Sequence, residues 1–210
     1  MRNLNQDTIT QAVIARFTET PDPRLKEIMT SLVQHLHAFA RDVRLTEAEW
    51  AQGIAFLTRV GRMTDDKRQE FILLSDTLGL SMLTVAMNNE KPVGCTEATV
   101  FGPFYVEGAP EYRLGDDVAN GAAGVPCQVR GYVRGLDGEA VPGAEIHVWQ
   151  ADAEGHYDVQ QPEPGAHRAR GVLRAGREGE YHFKSVLAES YPIPDDGPVG
   201  AMLEATGRHP

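Results

Sequence analysis

An α+β chain is predicted, with a helical region over residues 1–95 followed by an antiparallel β-sandwich over residues 96–210 that is incomplete at its C-terminal end. Three observations carry this. Up to about residue 89 the apolar residues recur at three- and four-residue spacing, the period of a helix. After Asn89 short runs rich in β-branched and aromatic residues, punctuated by glycine and proline, take over. The segment NNEKPVGCTEATVFGPFYVEGAP joins the two halves, and its Gly and Pro content marks ordered loop.

The clearest helix carries Leu25, Ile28, Met29, Leu32, Leu36, Phe39, Ala40 and Val43 as one stripe, entered through Asp22 as N-cap with Pro23 at the first helical position. Such a stripe is ordinarily core. Thr46 and Glu49 form a capping-box pattern ahead of WAQGIAFLTRV, and Thr64 with two aspartates opens a further helix through Phe71, Leu74, Leu78 and Leu83. A weaker helix runs from Thr8 to Phe17, giving three or four in all. Strands are read at CQVRGYV, EIHVWQA, GVLRA and YHFKSVL, with an Asp137-Gly138 turn between the first two. Four strands are few for a two-layer β domain.

The 210 residues suffice for one large domain or two smaller ones without disulfide support. A net charge of −10 argues against nucleic-acid and anionic-membrane partners, whose binding needs basic patches. That charge is uneven: residues 1–95 hold 11 basic and 12 acidic side chains, leaving 9 and 18 for the remainder. No stretch approaches the apolar length of a membrane span and the opening has no leader-like apolar segment, so a cytoplasmic location is expected. Cys95 and Cys127 lack the spacing of a zinc or redox motif and are assigned no chemistry.

The local pattern nearest to a metal site is QHLHAF. His35 and His37 fall within the clearest helix, where residues two apart point about 200° from each other, so they cannot grip one ion. His147, His156, His167, His182 and His209 show no partner at ligand spacing. Tyrosine is the remaining hard donor on stiff backbone. Tyr157 ends the unit HVWQADAEGHYDVQ, and Tyr191 follows a strand and precedes Pro192 and Pro194, which hold the turn in one extended path. A free phenol is neutral at pH 7 and binds metal poorly, whereas a trivalent cation favours the phenolate.

The stretches TEATVFGPFYVEGAP, GEAVPGAEIHVWQADAEGHYDVQ, YHFKSVLAESYPIPDDGPVGAMLEATGRHP and LLSDTLGL together resemble the intradiol ring-cleavage dioxygenases. YDVQ and YPIPDDGPVG are closer to the hydroxyquinol 1,2-dioxygenases than to plain catechol enzymes. The resemblance spans nearly the whole chain. It implies a non-haem Fe(III) held by two tyrosinates and two histidines on a β-sandwich, with Tyr157 and Tyr191 as the tyrosinates.

It also implies a homodimer formed through the helical region, with lipid bound at its interface, and a partial catalytic domain over residues 96–210. The substrate is an aromatic diol or triol, cleaved with O2 between its hydroxyl-bearing carbons to a muconate-type diacid. A pocket for its ring draws on Leu73, Asp76, Val100, Phe101, Gly102, Pro103, Phe104, Ile193 and Pro194. Tyr191 leaves the metal as the diol binds and takes one of its protons. Asp76, a carboxylate on the apolar side of a helix, needs a partner, and a further substrate hydroxyl is the candidate.

In relatives of this pattern the stretch after GRHP continues into an arginine and an H-x-H strand, and this sequence ends before them. The chain as written is therefore expected to hold Fe(III) weakly and to turn over slowly if at all. Two other readings stand beside this one. VRGLDGEAVPGAEIHVW is also the pattern of non-catalytic sandwich modules, and the helical region could serve dimerisation or lipid binding beside a dead enzyme remnant.

Overall fold

The computed structural model describes residues 4–161 and 167–208; His209 lies outside them. Two compact units divide the chain, residues 1–59 and 60–210.

In the first unit helix α1 (Ile9–Ile14), extended by a 3₁₀ turn over Ala15–Phe17, packs on helix α2 (Pro23–Asp42). Asp22 caps α2 as expected: its Oδ1 accepts the N–H groups of Arg24 at 2.8 Å and Leu25 at 3.2 Å. Arg41 of α2 reaches back to the Gln6 carbonyl at 2.7 Å. His37 meets the Thr10 hydroxyl at 3.0 Å while His35 is exposed, which is the divergence that the helical spacing dictates. Arg44 turns the chain through a left-handed conformation (φ 51°) into helix α3 (Glu47–Met63). The capping box forms, Glu49 Oε2 accepting from Thr46 N–H at 2.8 Å and Thr46 Oγ1 accepting from Glu49 N–H at 3.3 Å. The α2 stripe is not core within this unit. Leu25, Ile28, Leu32, Leu36, Phe39 and Val43 are each 47 to 55 % exposed and form an open apolar face.

The second unit begins in the last turn of α3, where Val60 is fully buried. The next helix starts six residues later than the Thr64 expectation. Thr64 Oγ1 donates to the Val60 carbonyl at 3.0 Å and so closes α3, while Asp65 Oδ1 accepts from Lys67 and Arg68 in a tight turn. Helix α4 (Glu70–Thr77) and helix α5 (Leu80–Asn88) then replace the single expected helix, bent by 76° at left-handed Gly79 (φ 76°). No single helix among the described residues is long and apolar enough to cross a membrane.

Four strands follow where the alternating runs placed them: β1 (Pro126–Tyr132), β2 (Glu145–Trp149), β3 (Arg170–Arg174) and β4 (Glu180–Val186). β1 pairs antiparallel with β4, setting Val129 opposite Phe183, and β2 with β3, setting Ile146 opposite Leu173. The Asp137-Gly138 turn closes only the isolated Arg134–Ala140 bridge, because β1 and β2 belong to different sheets. The loop ahead of β1 straps both sheets: Tyr112 N–H donates to Val172 of β3 at 2.8 Å, and Val118 N–H to Lys184 of β4 at 2.9 Å. This covers strand edges that would otherwise be open to pairing. Val118, Leu173 and Phe183 form the core, with Val129, Ile146, Val148 and Tyr181 packed around it from both sheets.

One helix has no counterpart in the sequence reading. Helix α6 (Pro198–Ala205) buries Val199 and Leu203 and begins with proline at its first position. The proline-rich run before it hides its start, since prolines and aspartates also spell a turn.

Candidate active site

Tyr157 and Tyr191 meet. Their ring centroids are 5.3 Å apart and the planes are inclined by 83°, an edge-to-face contact. Phe104 completes the group, stacked on Tyr157 (4.3 Å, 23°) and edge-on to Tyr191 (5.5 Å, 78°). Three residues far apart in sequence thus converge from the loop before β1, the loop after β2 and the segment after β4.

Tyr157 stands on a rigid base. Its N–H donates to Gln160 Oε1 at 2.9 Å, opening a 3₁₀ turn over Asp158–Gln160. The next residue, Asp158, is bound by Arg170 at the head of β3, whose Nε lies 2.8 Å from Oδ2 and Nη2 2.5 Å from Oδ1. The same Nη2 donates to the Phe104 carbonyl at 2.8 Å. Arg170 is 1 % exposed, so one buried guanidinium ties the Tyr157 turn to the loop that presents Phe104. Upstream, Asp152 Oδ1 accepts from Glu154 N–H at 2.9 Å and His156 N–H at 3.0 Å, and Oδ2 accepts from Gln161 at 2.9 Å. Burial opposes ionisation of Asp152, but the His156 and Glu154 N–H groups outweigh it and hold its carboxyl below the usual range.

Tyr191 is placed differently. It is 42 % exposed, on a segment without regular structure. Gly155 (φ 78°) lets that segment pass closely: a Cβ there would stand 2.8 Å from the Ser190 carbonyl oxygen. The two phenols therefore differ, one held by a buried ion pair and the other lying on a loop.

Burial pushes the Tyr157 phenol up, the adjacent Tyr191 adds to the rise, and the Arg170 charge opposes it. Without a cation Tyr157 stays protonated at neutral pH.

Among the other anticipated residues, Leu73, Val100 and Ile193 are half-buried, while Gly102, Pro103 and Pro194 are exposed. Phe101 turns the other way and stacks on Tyr105 (4.7 Å), with Trp149 edge-on at 6.2 Å. Asp76 is exposed, so solvent already satisfies its carboxylate and burial demands no partner for it. A groove of about 360 Å³ lies elsewhere, between Val129, Ile146, Val148 and Phe183 of the two sheets. No group of three or more His, Cys, Asp or Glu placed to hold a metal ion occurs among the described residues; the side chains that converge are the phenols.

Arg170 and Asp158 escaped the sequence reading. The available signal was a charged residue opening an otherwise apolar strand, since a buried cation requires an anion close by.

The N-terminal model of the catechol dioxygenases ("Catechol dioxygenase N terminus") matches residues 22–96, and the model described as "Dioxygenase" matches residues 100–210. The chain belongs to the intradiol ring-cleavage dioxygenases. This family member is 65 % identical over 210 residues to a 6-chlorohydroxyquinol 1,2-dioxygenase of Cupriavidus pinatubonensis, covering 100 % of this chain and 76 % of that one. It is 55 % identical to a hydroxyquinol 1,2-dioxygenase of Nocardioides simplex, covering 98 % and 70 %. The fold superposes on a hydroxyquinol 1,2-dioxygenase from Pseudomonas putida with a TM-score of 0.93 at 45 % identity, over 97 % of this chain and 71 % of that structure. Both the predicted α+β class and the predicted kinship with the hydroxyquinol branch hold.

Proposed function

We propose that this intradiol dioxygenase cleaves hydroxyquinol, or a catechol, between its adjacent hydroxyl-bearing carbons. Both atoms of O2 enter the product, a muconate-type diacid that for hydroxyquinol is a tautomer of maleylacetate. The observation that carries the reading is the contact of Tyr157 with Tyr191 beside Phe104.

Two phenols fit a non-haem ferric ion, because a small, highly charged cation selects hard anionic oxygen and offsets the burial that keeps Tyr157 protonated. Tyr157 and Tyr191 would be its ligands from the described residues. The bound ion supplies a Lewis acid that lowers the cost of deprotonating a diol.

The protein's own groups do the rest. Tyr157, braced by Asp158 and Arg170, keeps its place through turnover. Tyr191 lies on a looser segment and, ionised as a ligand, would accept a diol proton at its phenolate oxygen as the substrate takes its position. Leu73, Val100, Gly102, Pro103, Phe104, Ile193 and Pro194 form the surround for the ring, with Phe101 backing the loop from its Tyr105 and Trp149 side. Asp76 accepts a hydrogen bond from the third hydroxyl of hydroxyquinol, which takes the place of solvent on its exposed carboxylate as the ring binds, and so favours the triol.

Residues 96–210 carry the catalytic part and residues 1–95 serve dimerisation. The exposed face of α2 supports a homodimer, since a continuous apolar stripe of this kind marks an interaction surface; bound lipid there is part of the same proposal. Two unpaired cysteines fit a reducing, cytoplasmic setting.

Loading the protein with ferric iron and recording its visible spectrum tests the reading. A tyrosinate-to-iron absorption under excess ferric iron that weakens in Tyr157→Phe is expected, and any hydroxyquinol consumed, however slowly, should be matched by an equal amount of O2. A colourless protein after loading overturns the proposal.

A further inference from the structure

Glu70 is a buried carboxylate that the chemistry above leaves unused. It opens α4 and is 0 % exposed. Its Oε1 accepts the Val199 N–H at 3.1 Å, at the positive end of α6. Its Oε2 accepts from Arg68 Nε at 3.0 Å, with Nη2 also 3.0 Å away but off the line of a hydrogen bond. Arg68 Nη1 then reaches Asp196, 2.8 Å from Oδ1 and 3.0 Å from Oδ2. Gly197 lies against this cluster so closely that a Cβ would collide with Glu70 Oε1 and stand 2.7 Å from Met63 Sδ. The glycine of YPIPDDGPVG is there because the carboxylate is.

The cluster closes one end of a loose arm. Residues 190–196 have no backbone hydrogen bond to the rest of the described chain. Before them, Leu187 N–H donates to the Val125 carbonyl at 2.8 Å and Glu189 N–H to the Asp152 carbonyl at 3.3 Å. At the arm's far end Asp196, and just beyond it Gly197 and Val199, meet the Glu70–Arg68 pair. Pro192 and Pro194 stiffen the span, so a shift at the Glu70 end is passed along it instead of being absorbed. Breaking one member of a buried charged pair leaves the other uncompensated, which makes this end of the arm a definite stop.

We propose that Glu70, held by Arg68, is a positioning residue that fixes the far end of the Tyr191 arm and so sets where Tyr191 stands against Tyr157 and Phe104. This deepens the dioxygenase reading and rests on it for the role of Tyr191. Groups that orient a metal's donors from behind commonly change affinity or activity by about 10- to 100-fold when removed.

The test uses metal-free protein with ¹³C-labelled tyrosine rings, compared with Arg68→Gln, Asp196→Asn and Glu70→Gln. Asp196 is mainly exposed, so Asp196→Asn should fold and shift the Tyr191 signals even where Arg68→Gln or Glu70→Gln, which break the buried pair, do not fold. The Tyr191 ring signals and their contacts to Phe104 should change in Arg68→Gln, while Tyr112, Tyr132 and Tyr181 keep theirs. Glu70→Gln should lie between, because its amide oxygen still accepts the Val199 N–H. In iron-loaded protein the visible band should shift and the KM for diol change at least threefold, with a smaller change in kcat. If Tyr191 signals stay fixed while only the melting temperature falls, the cluster is a structural brace and the proposal is overturned. If the unaltered protein shows no visible band on loading, the dioxygenase reading fails, and the metal-free ring signals alone decide whether the anchor exists.

Discussion

Phe104 lies on Tyr157 with ring centroids 4.3 Å apart and planes 23° from parallel, and its backbone carbonyl is bonded to the guanidinium that also holds the residue after Tyr157. Side chain and main chain of one loop residue thus reach the same turn by two routes. Orientation of the phenol is fixed twice over.

Removing the stack should therefore be measurable. In a double-mutant cycle of Phe104→Leu and Tyr157→Leu, a coupling of about 1 kcal/mol is expected from ring geometry beyond simple burial. Urea unfolding of the four proteins gives it directly, and additive losses would show that the stack contributes no more than area.

The Arg170–Asp158 pair has side chains 2 % and 6 % exposed. Arg170→Met should cost roughly 3–5 kcal/mol, because it strands a buried carboxylate. Arg170→Met combined with Asp158→Leu should recover a large part of that loss, leaving a remainder for the Phe104 carbonyl, which loses its donor. Unfolding midpoints distinguish this from two independent penalties.

Asp152 sets a pH dependence. Its folded carboxyl titrates below an unfolded aspartate near about 3.9. The stability it contributes is therefore fully present above about pH 4 and is lost as pH falls through its folded value. Acid unfolding should steepen in that window, and Asp152→Asn should flatten it while loosening the turn that leads to Tyr157. An unchanged acid profile in the variant would contradict the assignment.

Gly155→Ala should hurt twice, through its left-handed backbone and through the Cβ placed 2.8 Å from the Ser190 carbonyl. A loss above about 1 kcal/mol is expected. Displacement of the Tyr191 ring should accompany it, visible as a changed environment for that tyrosine alone.

Asp76→Asn tests substrate choice. The side chain is exposed, so folding should be unaffected. The kcat/KM for hydroxyquinol should drop by about tenfold or more relative to catechol if the carboxylate accepts the third hydroxyl. An equal drop for both substrates would remove Asp76 from that role.

Much of this architecture is legible in the residues. Asp22, Pro23, Thr46 and Glu49 mark helix starts through backbone bonds made within four residues, and the strands follow from alternation. Such signals are local, and they survive folding. What failed is non-local. The start of α4 moved because Thr64 found the Val60 carbonyl, and α6 stayed hidden because its first N–H, that of Val199, is met by Glu70, more than a hundred residues away. The site shows the same division. Tyr157 and Tyr191 were legible through long motifs, whereas Arg170 and Glu70, which hold the segments carrying them, act through contacts that no short window contains.

The aromatic group of Phe101, Tyr105 and Trp149 has a practical consequence. The sequence has two tryptophans, and Trp50 lies in the first compact unit while Trp149 lies in the second. Each indole is a separate built-in lamp: replacing Trp50 by Phe leaves an emission that reports on the 101–105 loop. Because Phe104 within that loop bears on Tyr157, a dye-free optical signal should register motion beside the phenols.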